Sequence, residues 1–275
     1  LHLMALVPKH IKTLAPYRPG KPISEVRRKM GLHRIVKLAS NENPLGPPNL
    51  SIKAAQKSLM ECHRYPDSAA FDLRNKLAKQ FNLNIKNVVL GAGSEGIMST
   101  IMRTFLKPGD EIIAAKNSFI GFRVLANASG CQTKWIPMHN YRYDLVSMGN
   151  AITDSTKIVY LANPDNPTGT YFTVDEFDFF MSKVPSRVLV LLDEAYFEYA
   201  KDVIDFPDSM HYRYDNVITL RTFSKAYGLA GFRVGYGFAH ENLIENLLKV
   251  KLPFEPSIPA QSAAISALDD KKYLI

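Results

Sequence analysis

Between residues 88 and 238 the chain alternates short apolar runs with segments of helical periodicity, and this alternation restricts the fold more than any other feature. The runs lie at 88–90, 111–115, 157–162, 188–192, 217–221 and 234–238. Helical patterns occupy 52–62, 69–81, 94–106 and 175–183; in the third, Ile97, Ile101, Met102 and Phe105 share one face. Runs this short that are apolar throughout, not at every second position, suit strands buried on both faces. The expected fold is α/β, with a mainly parallel sheet flanked by helices. Such sheets bind ligands beyond the carboxyl ends of their strands, so the loops after each run are where function is sought.

Residues 1–40 have a different texture. Pro8, Pro16, Pro19, Gly20 and Pro22 break them into an extended arm with one short helix at 24–30. A proline-rich loop, NENPLGPP at 41–48, separates this arm from the alternating body at 41–252. Of the 275 residues 46% are hydrophobic and 22% charged, which excludes a disordered chain. The net charge of +8 is scattered, its longest cluster being Arg27-Arg28-Lys29, so nucleic acid is not an expected partner. Two cysteines, Cys62 and Cys131, give neither a disulfide framework nor a metal spacing, and the seven histidines form no HxH or HxxxH pair. The apolar start breaks at Pro8-Lys9, too early for a signal peptide, and no run of 18 apolar residues offers a membrane span. These features fit a reduced, cytoplasmic enzyme.

Four loops stand at strand ends. GAGSEG at 91–96 joins a strand to a helix, where small residues and free helix N–H groups suit a phosphate as well as a plain turn capped by Ser94. It is not a P-loop, because no GK[ST] follows. DEAY at 193–196 puts a carboxylate at the end of a buried strand, where it needs a cationic partner or serves as a helix cap. NPDNPTG at 163–169 sets two Asn/Asp-Pro turns in tandem, a rigid support for an amide. TFSKAYGLAGFR at 222–233 follows a strand with two hydroxyls, Lys225, small residues and Arg233. A partly desolvated lysine loses its proton readily and can form an imine, while hydroxyls and a guanidinium suit a phosphate.

Taken in order and spacing, ANPDNPTG, LLDEAY and TFSKAYGLAGFRVGY resemble the fold-type I, class I/II aminotransferases, which use pyridoxal 5'-phosphate. PYRPGKP, LASNENPLGPP and CHRYPD narrow the resemblance to the histidinol-phosphate aminotransferase branch. The resemblance implies Lys225 as the Schiff-base lysine, Asp193 as partner of the pyridine nitrogen, and Tyr196 and Asn166 on the ring hydroxyl. It implies Thr222, Ser224, Arg233 and the backbone of Gly93 and Ser94 on the phosphate, with Glu95 beside them and Phe119 stacked on the ring. Tyr65 would reach the phosphate of a neighbouring subunit in a homodimer, and Tyr17, Asn41 and Asn43 would line the substrate site. The branch commonly has GNGSDE where this chain has GAGSEG. The implied partners are a small-molecule amino donor and a 2-oxo acid. Histidinol phosphate with 2-oxoglutarate leads; an aromatic amino acid aminotransferase and a threonine-phosphate decarboxylase stay open.

The last expectation concerns residues 253–275. Positions 257–268 read as a helix, and the chain then runs to Tyr273-Leu274-Ile275 without a stop signal. Family members continue into a small C-terminal domain with a substrate-binding arginine, so this segment is expected to begin that domain, with most of it absent.

Overall fold

A computed structural model describes residues 6–17, 20–209 and 214–274. Its centre is a seven-stranded sheet of β1 (Val88–Gly91), β2 (Glu111–Ala115), β3 (Gln132–Ile136), β4 (Thr156–Ala162), β5 (Leu189–Asp193), β6 (Val217–Thr222) and β7 (Gly235–Phe238), in the order β1-β7-β6-β5-β4-β2-β3. Only β7 runs antiparallel to its neighbours; the other pairings are parallel. Every residue of β1, β2, β5, β6 and β7 is buried, which is why their sequences read as largely apolar runs without alternation.

Helices cover both faces. Ile112, Ile158, Tyr160, Leu191 and Leu220 pack beneath the helices Gly93–Phe105, Ile120–Ser129 and Glu241–Val250. Strand residues of the opposite parity, among them Val159, Leu161 and Val190, meet Phe177 and Phe180 of the helix Val174–Met181. That helix is opened by Thr173 and Glu176, which cap each other's backbone N–H.

Strand register gathers the informative loops along one edge. Gly91 pairs with Gly235, Gly235 with Thr222, and Asp193 with Ala162. The antiparallel β7 therefore starts at the same edge at which β1, β4, β5 and β6 end, and every loop singled out above leaves from there.

β3 and the helices Ile120–Ser129, Leu145–Asn150 and Glu241–Val250 are additions to the expected elements. β3 lies at the sheet margin with Gln132 exposed and the rest half-buried, so it lacks the apolar run that marks the other strands. The segment 253–275 also packs more closely than its sequence implies. Ala260, Ala263, Ala264, Ala267 and Leu268 of the helix Ile258–Asp269 are buried in the cluster that holds Ala55, Leu73 and Leu77. Leu274 packs against the same cluster, and the Tyr273 hydroxyl donates to the Gly46 carbonyl. Ile275 lies outside the described residues.

Candidate active site

At the carboxyl edge of the sheet opens a cleft of about 370 Å³, lined by residues from seven separate segments. Gly93, Ser94, Glu95, Phe119, Asn166, Asp193, Tyr196, Thr222, Ser224, Lys225 and Arg233 all face it. Ser40 and Glu42 close it from the N-terminal arm.

Asp193 ends β5 and is 5% exposed. Its Oδ2 accepts from the Tyr160 hydroxyl at 2.8 Å and its Oδ1 from the Ala195 N–H at 3.1 Å. Burial pushes the carboxyl up to about 6, while Tyr160, the Ala195 N–H and Lys225 pull the other way. A carboxylate so placed is ready for a cation delivered into the cleft.

Lys225 is half-buried, and desolvation lowers its pKa from the ordinary lysine value. Its Nζ donates to the Ser40 carbonyl at 3.0 Å and lies 5.7 Å from the centroid of the Tyr196 ring. The same ammonium favours ionisation of Asp193, so the two groups are electrostatically coupled across the cleft. The Tyr196 hydroxyl accepts from Asn41 Nδ2 at 2.8 Å.

One corner of the cleft gathers hydrogen-bond donors and a guanidinium. The helix Gly93–Phe105 has no side-chain cap at its N-terminus, so its first-turn N–H groups face the cleft without an internal acceptor. The Thr222 hydroxyl donates to Ser224 Oγ at 3.0 Å and accepts from the Ser224 N–H at 3.1 Å. Arg233 adopts φ +54°, and its guanidinium packs so closely on Gly93 that a Cβ there would lie 2.8 Å from Nη2. Gly93 itself has φ +75°, a second reason for glycine at this position. Hydroxyls, a guanidinium and free amides in one corner are groups that suit a phosphate.

The loop 163–169 is fixed from behind. Asn163 bridges to Phe172, receiving the Phe172 N–H at 2.9 Å and donating to its carbonyl at 3.3 Å. Asp165 accepts from the Ser118 hydroxyl at 2.7 Å, which ties the Asn166 loop to the loop bearing Phe119. The Phe119 ring folds over Gly121, where a Cβ would lie 2.6 Å from Cε1.

Four expected positions lie away from the cleft lining. Tyr17 and Tyr65 are 56% and 78% exposed, and Tyr65 stacks on Phe254 with ring centroids 4.3 Å apart. Asn41 reaches the site only through Tyr196. Asn43 uses its amide to brace the loop, donating to the Ala226 carbonyl and accepting from the Leu45 N–H, both at 3.0 Å. Conversely, Tyr160, Ser118 and Asp165 bear on the site without having been singled out. The available signal was a hydroxyl in an otherwise apolar strand, since a buried tyrosine needs a partner.

A family model for aminotransferase class I and II matches residues 33–274. The chain belongs to this family. The histidinol-phosphate aminotransferase of Anaeromyxobacter sp. (strain Fw109-5) is 43% identical over 274 residues, covering 98% of this chain and 75% of that protein. That of Caldicellulosiruptor saccharolyticus is 44% identical over 266 residues, covering 96% and 74%. Among solved structures, histidinol-phosphate aminotransferase from Sinorhizobium meliloti in complex with pyridoxal-5'-phosphate superposes with a TM-score of 0.90 at 29% identity, covering 99% of this chain and 73% of that one. A Thermus thermophilus aspartate aminotransferase variant, 20% identical, shares the fold with a TM-score of 0.82. No helix among the described residues is long and apolar enough to cross a membrane.

Proposed function

We propose that this chain binds pyridoxal 5'-phosphate and transfers the amino group of histidinol phosphate to 2-oxoglutarate, a step of histidine biosynthesis. The observation that carries the reading is that a half-buried lysine, a buried strand-end carboxylate, and a cluster of hydroxyls, a guanidinium and helix-start residues face one cleft. The relatives at 43% and 44% identity bear the name of that reaction, which supports the choice of substrate.

The residues fit the cofactor. Thr222, Ser224, Arg233 and the amides of Gly93 and Ser94 would hold its phosphate, with Glu95 at the rim. Asp193 would face the ring nitrogen, Asn166 and Tyr196 the ring hydroxyl, and Phe119 one face of the ring. When bound, pyridoxal phosphate supplies an aldehyde carbon and an electron-withdrawing ring that stabilises negative charge at the donor's Cα. Lys225 Nζ is the anchoring amine and the base for the Cα proton; burial favours the neutral form that both tasks require. Asn41 orients the Tyr196 hydroxyl, while Asn43 holds the arm against the Lys225 loop. Tyr17 belongs to the substrate entrance in this reading.

The working unit is a cytoplasmic homodimer. Tyr65 is exposed and points at no part of its own cleft, as a residue lent to a partner's phosphate site would be. Sedimentation of a fully active monomer would refute this part. We further place the cofactor-binding domain at 41–252, after an arm at 1–40, with 253–275 entering a second domain.

The test is to load the protein with pyridoxal phosphate and offer histidinol phosphate, phenylalanine and threonine phosphate in turn, following the cofactor spectrum. Conversion to the pyridoxamine form with histidinol phosphate supports the proposal. Conversion with phenylalanine alone, or release of CO₂ from threonine phosphate, would replace it. Lys225→Ala should abolish both turnover and the yellow absorption, and a variant that stays yellow overturns the assignment of Lys225.

A further inference from the structure

Tyr160 has no part in the roles assigned above, yet it is the side chain most directly fastened to Asp193. It lies on β4, two residues before Ala162, which pairs with Asp193 across the strands. It is fully buried, and its ring stacks on Phe122 with centroids 3.8 Å apart and planes 9° from parallel. Its hydroxyl donates to Asp193 Oδ2 at 2.8 Å. Burial raises the pKa of this phenol well above the ordinary tyrosine value, so it remains protonated and donates at any working pH. An ionised carboxylate only accepts, so the direction of this hydrogen bond is fixed.

We infer that Tyr160 is a positioning residue for Asp193: its hydroxyl fixes the carboxylate's orientation and gives the anion a hydrogen bond from within the sheet. This deepens the proposed function and rests on it, because the ionised carboxylate matters as counter-charge to the cofactor's ring nitrogen.

The groups around Asp193 make the case. From its own loop the Ala195 N–H holds Oδ1 at 3.1 Å. From the loop after β6, Lys225 favours the anion, whereas Asp165, from the loop after β4, disfavours it. Tyr196 and Tyr143 also feel the Asp193 charge. Against desolvation stand one backbone amide, one lysine and Tyr160, and Tyr160 is the largest of the three. Of these, Tyr160 is the side chain that hydrogen-bonds the carboxylate, whereas Lys225 acts on it through its charge. Phenylalanine would fill the same space against Phe122 and bury no hydroxyl, so packing alone gives no reason for tyrosine here.

The first readout needs no cofactor. In protein labelled with 13C-aspartate, the Asp193 carboxyl resonance, assigned through Asp193→Asn, is followed against pH in wild type and Tyr160→Phe. Loss of one charge-assisted hydrogen bond should lower the acid dissociation constant of Asp193 about tenfold, moving its midpoint to higher pH. The second readout is the 15N resonance of the ring nitrogen in protein loaded with 15N-labelled cofactor. In Tyr160→Phe it should move toward the unprotonated position near neutral pH, with melting temperature and yellow absorption retained. An unchanged Asp193 midpoint in the variant overturns the inference, as does a ring nitrogen that stays fully protonated. If wild type never turns yellow with the cofactor, the proposed function fails instead, and the cofactor-free titration still decides the role of Tyr160. Should Tyr160→Phe not fold, the Tyr160 13Cζ resonance in wild type replaces it. That signal must shift through the Asp193 midpoint, and a flat response refutes the contact.

Discussion

Gly235→Ala tests the phosphate cradle by pressing on the turn behind it, without replacing any residue that would bind the cofactor. Gly235 opens β7 opposite Gly91 and Thr222, directly behind the 93–94 turn. A Cβ there would lie 2.6 Å from the Gly93 carbonyl carbon and closer still to the Ser94 nitrogen. Both are backbone atoms, so no flexible side chain can swing aside. Ordinary contact begins near 3.4 Å, and the turn must therefore retreat by at least about 0.8 Å. An N–H···O bond of about 2.9 Å stretched by that amount exceeds the limit of useful geometry. Losing one such bond to a charged acceptor costs about 1.5–3 kcal/mol, or roughly 10- to 150-fold in cofactor affinity. Overpacking itself should cost about 1–3 kcal/mol of stability, a fall of several degrees in melting temperature for a chain this long. The assay is titration of apoprotein with pyridoxal phosphate, read by the absorption of the lysine-bound cofactor. Gly149→Ala is the control, since the nearest atoms to its new Cβ lie at 3.7 Å and the site is remote from the cleft. A Gly235→Ala protein that binds the cofactor within twofold of wild type would refute the assignment of the 93–94 turn to the phosphate.

Asp193→Asn should leave the melting temperature close to wild type and reduce the transamination rate by about a hundredfold or more, since a fixed counter-charge is lost; a near-normal rate would reduce Asp193 to a structural cap. Arg221 is fully buried, pairing with Glu194 at 2.8 Å and with Asp208 at 3.1 Å, so Arg221→Met should cost about 3–5 kcal/mol by urea unfolding. Adding Glu194→Leu to that variant should recover much of the loss, and a double variant no more stable than the single would contradict the pairing. Burial pushes Glu198 up to about 7, above the ordinary carboxylate range. The stability this group contributes is therefore present in acid and lost as pH rises through about 7. Glu198→Gln removes that loss, so its melting temperature should gain on wild type between pH 5 and pH 8; a constant difference would place Glu198 in water.

The reach of the sequence follows from which interactions are local. Strands β1, β2, β5, β6 and β7 announce themselves because burial on both faces favours a largely apolar run, whereas β3, with one flank in solvent, carries Gln132, Thr133 and Lys134 and reads as a loop. The helix Ile120–Ser129 was hidden for another reason. Its N-cap is Phe119, which offers no side-chain acceptor to the first-turn N–H groups, so no start signal marks it. In the site, Lys225, Asp193, Asn166 and Gly93 are legible because each is an unusual residue at or just past a strand end, and sheet register alone brings strand ends together. What a linear pattern cannot encode is the support behind them. Tyr160 meets Asp193 across two strands, Ser118 meets Asp165 across 47 positions, and Asn41 meets Tyr196 across 155. Asn41 and Asn43 make the distinction concrete. Two residues apart in one motif, one orients a cleft hydroxyl and the other clamps a backbone carbonyl, and only the path of the loop decides which does which. Motif spacing thus identifies the groups that meet the cofactor, while the groups that hold them in place are found through contacts. The latter set the carboxylate's charge and the turn's position, and substitutions there should alter affinity and protonation before they alter the fold.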